Sequence, residues 1–441
     1  MTTSIGTETQ AGVFGYGVEG RSAALWLRKI GCRRVRIIST ARPEDLDPAF
    51  VWIAETDADT ALSGLDLLIK SPGIRPDHAL LRAAAYAGVP ITSSTALFVE
   101  RAREAGLAVI GVTGSKGKST TATLIHKTLE AAEIPTVLVG NIGRSALDIL
   151  EEAVSNRPVI VVEMSSYQTH DLTVGPSVAV ITRLFPEHLD WHGNAQDYYA
   201  AKLKIAATQR PDDVTIWNAT DPELARRVPL GPARHVPYGS GPARFSEAGM
   251  KLRGPHNRHN ASAALAAAEL FGALPSHLES VLQSFAGLPH RLEDLGMRSG
   301  IRWINDSLAT APEAAVAALD AFGGEIATYI GGGTDRGFDF TPLAQALVWR
   351  AMPNIILLPP GGAAILAAIA AIDPGAAANA KSVGDLAEAV AVASRCTPEG
   401  ATVLFSPASP SYGVYKNFED RGNIFRGFVN AFKAPPKRTL T

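Results

Sequence analysis

The stretch from Gly111 to Thr120, which reads GVTGSKGKST, constrains the fold of this chain more than any other feature. It follows a short apolar run, 107–110, and opens a segment with helical character. A glycine-rich loop between a strand and a helix wraps phosphates, because its backbone N–H groups turn inward and the helix N-terminus adds positive charge. Lys118 would neutralise the transferring phosphate, and the Ser119 hydroxyl would ligate magnesium. The sequence therefore predicts a nucleoside triphosphate site on an α/β sheet.

The loop departs from the general phosphate-loop pattern at one position. The pattern G-x-x-x-x-G-K-[ST] requires glycine where this chain has Val112. The alternative is a surface turn rich in glycine, serine and lysine before a helix. The preceding strand, Lys118 and the Ser119–Thr120 pair favour the phosphate loop over the surface turn. The predicted ATP contacts of the loop are Gly114, Ser115, Lys116, Gly117, Lys118, Ser119 and Thr120.

Composition limits the class of protein. The chain has 441 residues, of which 46% are hydrophobic, enough to build two to four domains with substantial cores. Its 41 basic and 43 acidic residues nearly cancel, so no bulk attraction to nucleic acid or anionic lipid is implied. Two isolated cysteines, Cys32 and Cys396, fit a reducing compartment. The N-terminus is polar and no apolar run of about 18 residues occurs, so we expect a cytoplasmic protein without a membrane partner. We also expect a monomer that binds no nucleic acid.

Apolar runs of strand length alternate with helical patterns along the chain. The clearest runs are 13–14, 35–38, 159–162, 178–181, 301–304 and 355–358. This alternation predicts doubly wound parallel sheets. We divide the chain into domains at residues 1–98, 99–297 and 298–441, and we expect a loop region over 288–300 before the third domain.

The first segment contains a second glycine-rich turn. Gly15 to Gly20 reads GYGVEG after a strand and matches the dinucleotide fingerprint. A nicotinamide enzyme would carry an acidic residue about 20 positions later, where this chain has Ser39 and Thr40. We therefore favour another phosphorylated ligand, such as a UDP moiety, over a nicotinamide oxidoreductase, with a structural turn as the alternative. Ser71 would follow a later strand of the same sheet, where open α/β folds bind ligands.

Two more polar groups follow successive strands of the middle segment. Glu163 ends one strand, and His188 comes after the next. Because the ends of parallel strands converge on one edge, both could join Ser119 around a metal-phosphate cluster. Oxygen-rich ligation with one imidazole suits Mg²⁺ or Mn²⁺. Taken singly, Glu163 could be a helix N-cap and His188 a loop histidine.

Together these motifs resemble the Mur ligases over essentially the whole chain, and within that family the members that add glutamate. The matching motifs are 113–120, GNIG at 140–143, EMSSYQ at 163–168, EHLD at 187–190, AKL at 201–203, GPHN at 254–257 with Asn260, LPHR at 288–291, NDS at 305–307 and KNF at 416–418. The resemblance implies an N-terminal Rossmann-like UDP-binding domain, a central P-loop ATPase domain with a parallel sheet, and a C-terminal Rossmann-like domain that binds glutamate.

The activity that the resemblance implies is ATP-dependent amide formation. Glutamate would be joined to UDP-N-acetylmuramoyl-L-alanine through an acyl phosphate, in peptidoglycan precursor synthesis, with ATP and Mg²⁺ as cofactors. A folylpolyglutamate synthetase shares the phosphate loop, but its first domain would not be a separate UDP-binding unit. A nucleotide-binding protein without catalysis is disfavoured by Lys118, Glu163 and His188.

The resemblance also implies a metal set. Ser119 and Glu163 would hold one Mg²⁺, and His188 would hold a second with help from Lys202. In the family, the lysine matching Lys202 is carbamylated, which converts a cation into an anionic ligand. Its own sequence context would make Lys202 a solvated helix lysine. Catalysis would therefore rest on Lys118, Lys202, His188 and Glu163.

Substrate contacts are implied in the same way. Contacts to adenine, ribose and phosphate across the domain joint would come from Asn257, Asn260, Arg291 and Asp306, although Arg291 could instead form an interdomain salt bridge. Contacts to the UDP substrate would come from Gly17, Val18, Glu19, Ser39, Thr40, Ser71 and Asn141, with Asn141 at its carboxyl end.

Glutamate would be held by Thr310, Arg336, Ser411 and Phe418, with the Arg336 guanidinium clamping a carboxylate. Leu308 stands where the commoner members, which use D-glutamate, have lysine in the motif NDSKAT. The features that look like the less common members, which take L-glutamate, are Leu308, Pro312, 335–337 and 185–192. The segment 416–418 looks like the common type. We expect L-glutamate, with D-glutamate as the alternative.

Overall fold

The computed structural model describes residues 5–252, 255–335 and 337–432. Three α/β sheets form, and the chain divides into two compact units, the first ending at Phe285 and the second beginning at Ala286. The first unit carries two sheets, and the second unit carries the third. Within the described residues, no helix is both long and apolar enough to cross a membrane. The predicted α/β class is confirmed, whereas the division into three domains stays a prediction.

The first sheet begins the chain. Its strands are β1 (Gln10–Phe14), β2 (Arg34–Ser39), β3 (Val51–Ala54), β4 (Leu67–Lys70) and β5 (Ile91–Ser93), and the accompanying helices are α1 (Val18–Lys29), α2 (Ala58–Leu62), α3 (Ala79–Tyr86) and α4 (Ser94–Glu104). All five strands are parallel, in the order β3-β2-β1-β4-β5. The predicted boundary after residue 98 falls inside α4.

Glycines shape the turn between β1 and α1. Gly15 has a left-handed φ of 88°, and a Cβ on Gly20 would lie 1.9 Å from the Gly15 carbonyl oxygen. Only glycine allows this approach of helix to turn. The fingerprint glycines at these two positions are therefore required by local geometry.

The second sheet completes the first unit. Its strands are β6 (Val109–Thr113), β7 (Thr136–Gly140), β8 (Val159–Glu163), β9 (Val178–Ile181), β10 (Val214–Asn218) and β11 (Arg234–Tyr238), and the helices are α5 (Lys118–Ala131), α6 (Leu150–Asn156), α7 (Ser166–Thr169), α8 (Leu189–His192), α9 (Ala195–Ala207), α10 (Pro222–Ala225), α11 (Pro255–Ala268) and α12 (Pro275–Ser284). The six strands are parallel, in the order β11-β10-β9-β6-β8-β7. The phosphate-loop strand β6 is therefore interior.

The third sheet forms the second unit. Its strands are β12 (Glu293–Arg298), β13 (Ile301–Asn305), β14 (Ile326–Gly332), β15 (Asn354–Leu358), β16 (Lys381–Ser382) and β17 (Thr402–Phe405), and the helices are α13 (Pro312–Phe322), α14 (Thr341–Trp349), α15 (Gly361–Ile372), α16 (Pro374–Asn379), α17 (Leu386–Cys396) and α18 (Phe418–Ala431). The order is β12-β13-β17-β14-β15-β16, with β12 antiparallel to β13 and the other pairs parallel.

All six predicted apolar runs lie in strands, namely β1, β2, β8, β9, β13 and β15. The expected loop over 288–300 is wrong in part, because β12 occupies 293–298. Half of the residues in this edge strand are charged and all six are half-exposed or exposed, so it lacks the apolar run that marks a buried strand. Ser299 and Gly300 both have positive φ and close a two-residue hairpin.

The two sheets of the first unit share one hydrophobic core. A single buried cluster runs from Val13 and Ile37 in the first sheet, through Phe98 in α4, to Ile160 and Ile181 in the second sheet. Burial of this continuous apolar surface holds the two sheets together.

A buried ion pair joins the same two sheets. Lys70 Nζ, at the end of β4, lies 2.7 Å from an Asp171 carboxylate oxygen just beyond α7, and the two side chains are 3% and 10% exposed. His170 Nδ1 lies 2.9 Å from the other Asp171 oxygen. An exposed pair, Lys29 with Glu151, also links the sheets at 2.6 Å, but those side chains are 63% and 41% exposed.

We expect Asp171→Asn to lower the free energy of unfolding by about 3–5 kcal/mol, because it leaves the Lys70 charge buried without a counter-charge. The apolar double variant Lys70→Met/Asp171→Leu should stay within about 1 kcal/mol of the parent. The matched exposed control, Lys29→Met, should cost less than about 1 kcal/mol. Urea unfolding of the four proteins measures these differences, and equal losses for Asp171→Asn and Lys29→Met would contradict the assignment.

Candidate active site

The phosphate loop lies between β6 and α5, as predicted. Gly117 caps α5 with a left-handed φ of 94°. Gly114 has φ 144°, and a Cβ there would lie 2.0 Å from Thr182 Oγ1. The Thr182 hydroxyl lies 2.6 Å from the Lys116 carbonyl oxygen, to which it can donate. The loop is thus packed so closely against the end of β9 that these two glycines cannot be replaced without moving the backbone.

Side chains of the loop are anchored as well. Lys118 Nζ donates to the carbonyl oxygens of Gly114 and Ser115, at 3.0 Å each. Ser115 Oγ lies 2.7 Å from the Phe185 carbonyl oxygen and 2.9 Å from the Tyr198 hydroxyl. The Lys118 ammonium is therefore held against the backbone of the loop, where it would face a bound phosphate.

Glu163 lies beside the loop because of the strand register. The parallel ladder pairs Val112 of β6 with Glu163 of β8. The Glu163 side chain is fully buried; it accepts a hydrogen bond from Ser119 Oγ at 3.1 Å and a long one from Asn141 Nδ2 at 3.5 Å. The N-cap alternative for Glu163 is wrong, since Ser165 caps the next helix.

The Ser119–Glu163 pair fits a hard divalent cation. Among the described residues, no basic side chain forms an ion pair with the buried Glu163 carboxylate, so a bound cation would supply the direct counter-charge that the described side chains do not. A carboxylate and a hydroxyl oxygen at a helix N-terminus are donors that Mg²⁺ accepts together with phosphate. The described residues form no cluster of three or more His, Cys, Asp or Glu side chains of the kind that binds a metal without substrate.

Lys202 is buried on α9, with 2% of its surface exposed. The alternative of a solvated helix lysine is therefore wrong. Burial, followed by the positive charge of Lys118, lowers the pKa of Lys202 well below its ordinary value. The Glu187 and Glu163 charges act in the opposite direction, which places Lys202 within electrostatic reach of the loop and of Glu163. His188 immediately precedes α8 with a left-handed φ of 53°, and its exposed ring lies 5.2 Å from the Tyr167 ring.

The predicted ATP contacts on α11 lie against the loop. Asn260 Oδ1 accepts a hydrogen bond from Thr121 Oγ1 at 3.3 Å, and Asn260 Nδ2 donates to Asn257 Oδ1 at 2.9 Å. A Cβ on Gly117 would lie 2.5 Å from Asn260 Oδ1. The two asparagines thus brace the start of α5.

Most of the predicted UDP contacts lie along the carboxyl edge of the first sheet, whereas Asn141 follows β7 of the second sheet. Gly17 caps α1, and the Val18 side chain is 77% exposed. Ser71 Oγ donates to the Gly15 carbonyl oxygen at 3.1 Å. Ser39 accepts from Trp52 Nε1 at 3.1 Å, and Thr40 lies beside it. These residues frame an open edge at an α-helix N-terminus, which suits a diphosphate.

Glu19, also predicted to contact UDP, has a carboxylate that is hydrogen-bonded within the protein. Its carboxylate accepts hydrogen bonds from Ser94 Oγ, from Thr95 Oγ1 at 3.3 Å, and from Gln168 Nε2. Burial raises the pKa of Glu19, against the hydrogen bonds and Lys70, which lower it. The carboxylate thus ties the first-sheet turn to the α7 segment that follows Glu163.

Sequence reasoning gave no role to Lys70, Asp171 or the Gln168 side chain. The signal that was present is the position of Lys70 at a strand end and of Gln168 in the EMSSYQ motif. Lys70 and Gln168 each contact a residue associated with the other sheet, Asp171 and Glu19 respectively. Trp191 Nε1 adds a hydrogen bond to the Gly73 carbonyl oxygen at 3.0 Å.

In the second unit, Asp306 is buried at the end of β13. Its carboxylate accepts from the Leu292 backbone N–H at 3.1 Å and from Ser406 Oγ at 2.8 Å. Burial raises the pKa of Asp306 to about 7. Arg291, half-buried, lies between His290 and Leu292, both of which have positive φ.

The predicted glutamate contacts also lie in this unit. Thr310 follows β13, Ser411 follows β17 and is 2% exposed, and Phe418 begins α18. Leu308 is half-buried in the same loop as Thr310. Arg336 lies outside the described residues, so its predicted clamp stays a prediction.

Two family descriptions match the chain. Residues 112–244 match the Mur ligase middle domain, and residues 290–409 match the Mur ligase glutamate ligase domain.

Similar proteins match over almost the full length. A UDP-N-acetylmuramoyl-L-alanine--L-glutamate ligase of Salinispora tropica is 38% identical, covering 94% of this chain and 95% of the relative. Its namesake in a Micromonospora species is 36% identical, covering 97% of both chains. A UDP-N-acetylmuramoylalanine--D-glutamate ligase of Symbiobacterium thermophilum is 36% identical over 84% of this chain and 85% of its own.

Solved structures share the fold. MurC, a UDP-N-acetylmuramate-alanine ligase of Thermotoga maritima, aligns with a TM-score of 0.57 at 19% identity, covering 97% of this chain and 100% of its own. MurF of Acinetobacter baumannii aligns with a TM-score of 0.55 at 19% identity, covering 98% and 93%. Identity of 36–38% across nearly the whole chain, on top of the phosphate loop, Glu163 and Lys202 geometry, establishes that this chain belongs to the Mur ligase family.

Proposed function

We propose that this protein is an ATP-dependent ligase that joins L-glutamate to UDP-N-acetylmuramoyl-L-alanine in peptidoglycan precursor synthesis. The observation that carries the proposal is the assembly of Lys118, Ser119 and Glu163 at the phosphate loop. The full-length relatives named as UDP-N-acetylmuramoyl-L-alanine--glutamate ligases support the choice of substrates. We place the enzyme in the cytoplasm, where ATP is available, and a monomeric state stays a prediction.

The reaction has two steps, each of which forms one bond and breaks another. A carboxylate oxygen of the alanyl substrate attacks the γ-phosphorus of ATP, and ADP leaves. The glutamate amine then attacks the acyl phosphate carbon, loses a proton and expels inorganic phosphate, which carries off the former carboxylate oxygen. Because a carboxylate is a poor electrophile, phosphorylation supplies the leaving group, and the protein's work is positioning and charge neutralisation.

The phosphate loop would supply most of that neutralisation. Backbone N–H groups at the start of α5 and the Lys118 ammonium would surround the β- and γ-phosphates. Ser119 and Glu163 would hold Mg²⁺, which when bound spreads the charge of the transferring phosphate. Asn141, in contact with Glu163, is placed to orient the carboxyl end of the nucleotide substrate.

Lys202 is proposed to act as a carbamate. A lysine reacts with CO₂ only as the neutral amine, forming an N–C bond and releasing a proton. Burial favours the neutral amine of Lys202, and the nearby Lys118 charge favours the carbamate anion that results. The carbamate would then help His188 to hold a second cation.

The first sheet is proposed to bind the UDP moiety. The N-terminus of α1, with Gly17 and Val18 exposed, suits the diphosphate, and Ser71 lines the same edge. Glu19 is proposed to fix this edge relative to α7 through its hydrogen bonds with Ser94 and Gln168, and its contact with UDP stays a prediction.

We propose L-glutamate over D-glutamate because of one residue, Leu308. Leu308 places an aliphatic side chain where members that use D-glutamate carry a cation. Relatives named for L-glutamate reach 38% and 37% identity, and one named for D-glutamate reaches 36%. The relatives alone do not separate the isomers, so the argument rests on Leu308.

Lys118→Ala should reduce ligation by ~10²-fold or more, because it removes the charge on the transferring phosphate. The matched control, Lys127→Ala, changes the same residue type farther along α5 and should keep parental turnover. Phosphate release that requires both the nucleotide substrate and glutamate is the assay, and near-normal turnover in Lys118→Ala would overturn the assignment of the loop.

Lys202→Ala should lose most activity, and added bicarbonate should not restore it, because the amine that accepts CO₂ is gone. Small carboxylates such as acetate should restore part of the rate by replacing the missing anion. Lys204→Ala, two residues along α9, serves as control. If Lys202→Arg turns over as well as the parent, the side chain acts only as a cation and the carbamate proposal fails.

The parent enzyme should show a higher kcat/KM for L-glutamate than for D-glutamate at saturating ATP and nucleotide substrate. A polar contact made by one isomer and missed by the other is worth about 1–3 kcal/mol. Leu308→Lys should therefore shift the preference toward D-glutamate by about tenfold. A parental preference for D-glutamate would refute the choice of isomer while leaving the ligase assignment in place.

A further inference from the structure

Arg421 is a fully buried arginine in the second unit, on the first turn of α18. Burial lowers its pKa to about 10, so the guanidinium remains charged at neutral pH. Among the described residues, no carboxylate forms an ion pair with it. A buried charge without a counter-charge is costly to the fold.

The position of Arg421 on its helix adds to that cost. The first turn of a helix carries partial positive charge and favours acidic side chains. Glu419 and Asp420 follow this preference in α18, whereas Arg421 opposes it. Stability alone does not explain a buried cation at this place.

The guanidinium binds two loops at once. Its Nε and Nη2 atoms donate to the hydroxyl and carbonyl oxygens of Ser307, at 3.1 and 2.9 Å, and Nη1 donates to the Ser409 carbonyl oxygen at 2.9 Å. Ser307 Oγ in turn donates to the Phe418 carbonyl oxygen at 2.8 Å. Arg421 thus joins the loop after β13, the loop after β17 and the start of α18.

A third loop packs on the same group. A Cβ on Gly333, in the segment that follows β14, would lie 2.9 Å from Arg421 Nη1. These segments carry the proposed glutamate contacts, Thr310, Ser411 and Phe418. One buried cation therefore underlies the carboxyl ends of three neighbouring parallel strands, β13, β17 and β14.

We propose that Arg421 is the positioning residue of the amino-acid site, holding the Ser307 and Ser409 loops in register and supplying a buried positive charge that favours a dicarboxylate amino acid. The inference rests on the proposed function. Arg421 has no exposed surface and would not touch the substrate. Its charge would act through the low-dielectric interior, and the second carboxylate of glutamate would supply the counter-charge that the protein lacks.

The test compares KM values for the three substrates in Arg421→Met, Arg421→Lys and the exposed-arginine control Arg395→Met. Arg421→Met should raise KM for glutamate about tenfold or more while leaving KM for ATP and the nucleotide substrate within about twofold. Arg421→Lys should fall between it and the parent, because lysine keeps the charge but loses the planar fork that joins two loops. Arg395→Met should match the parent.

A second readout separates positioning from general damage. Acyl phosphate formed without glutamate can be trapped with hydroxylamine, and its rate should be unchanged in Arg421→Met. A variant whose KM for glutamate is parental, or whose three KM values and trapping rate all worsen together, would overturn the inference.

Folding failure is covered by Ser307→Ala, which removes the hydroxyl that accepts from Arg421 Nε and donates to the Phe418 carbonyl oxygen. Ser307→Ala should raise the KM for glutamate, as Arg421→Met does. If the single variants Ser307→Ala and Arg421→Lys both fold and both keep the parental KM for glutamate, the proposal is contradicted. If the parent forms no glutamate amide at all, the proposed function fails; if it does and the variants keep parental KM for glutamate, only the role of Arg421 fails.

Discussion

The parallel register of β6, β8 and β9 is the constraint on which the rest of the site depends. It pairs Val112 with Glu163 and Thr113 with Ile181, so that the strand ends reach the phosphate loop together. Hydrogen bonds of the ladder fix that register, and a slip of one residue would turn the Glu163 side chain to the opposite face. Ser119 can meet Glu163 only because this backbone pairing places them on one edge.

The protein also buries several ionisable side chains. Glu163 and Arg421 are each buried without an ion pair to another side chain among the described residues, and burial lowers the pKa of Lys202, whereas Lys70 and Asp171 are buried as a pair. The paired charges connect two sheets and belong to the fold. We propose that ions brought by the reaction balance the two unpaired charges, Mg²⁺ for Glu163 and the second carboxylate of glutamate for Arg421, so that their cost in stability is offset in the complex with substrates.

Much of this could be predicted from the sequence, for identifiable physical reasons. Apolar runs revealed the buried strands, and Gly114 and Gly117 revealed the loop because few residues tolerate positive φ. The sequence did not predict strand β12, because a charged edge strand has no apolar run. The sequence did not predict the contacts Lys70–Asp171 and Glu19–Gln168 or the contacts of Arg421. These contacts join residues far apart in sequence, separated by 101 and 149 positions in the first two pairs, and local sequence patterns do not indicate such pairs.

The central claim is that the carboxylate of the alanyl substrate is activated as an acyl phosphate in the site built around Lys118, Ser119 and Glu163. Labelling that carboxylate with ¹⁸O and following the label through a reaction with ATP and glutamate tests it most directly. The account predicts that inorganic phosphate acquires one ¹⁸O for each amide bond formed, with the other retained in the amide carbonyl. Amide formation with unlabelled phosphate would contradict it.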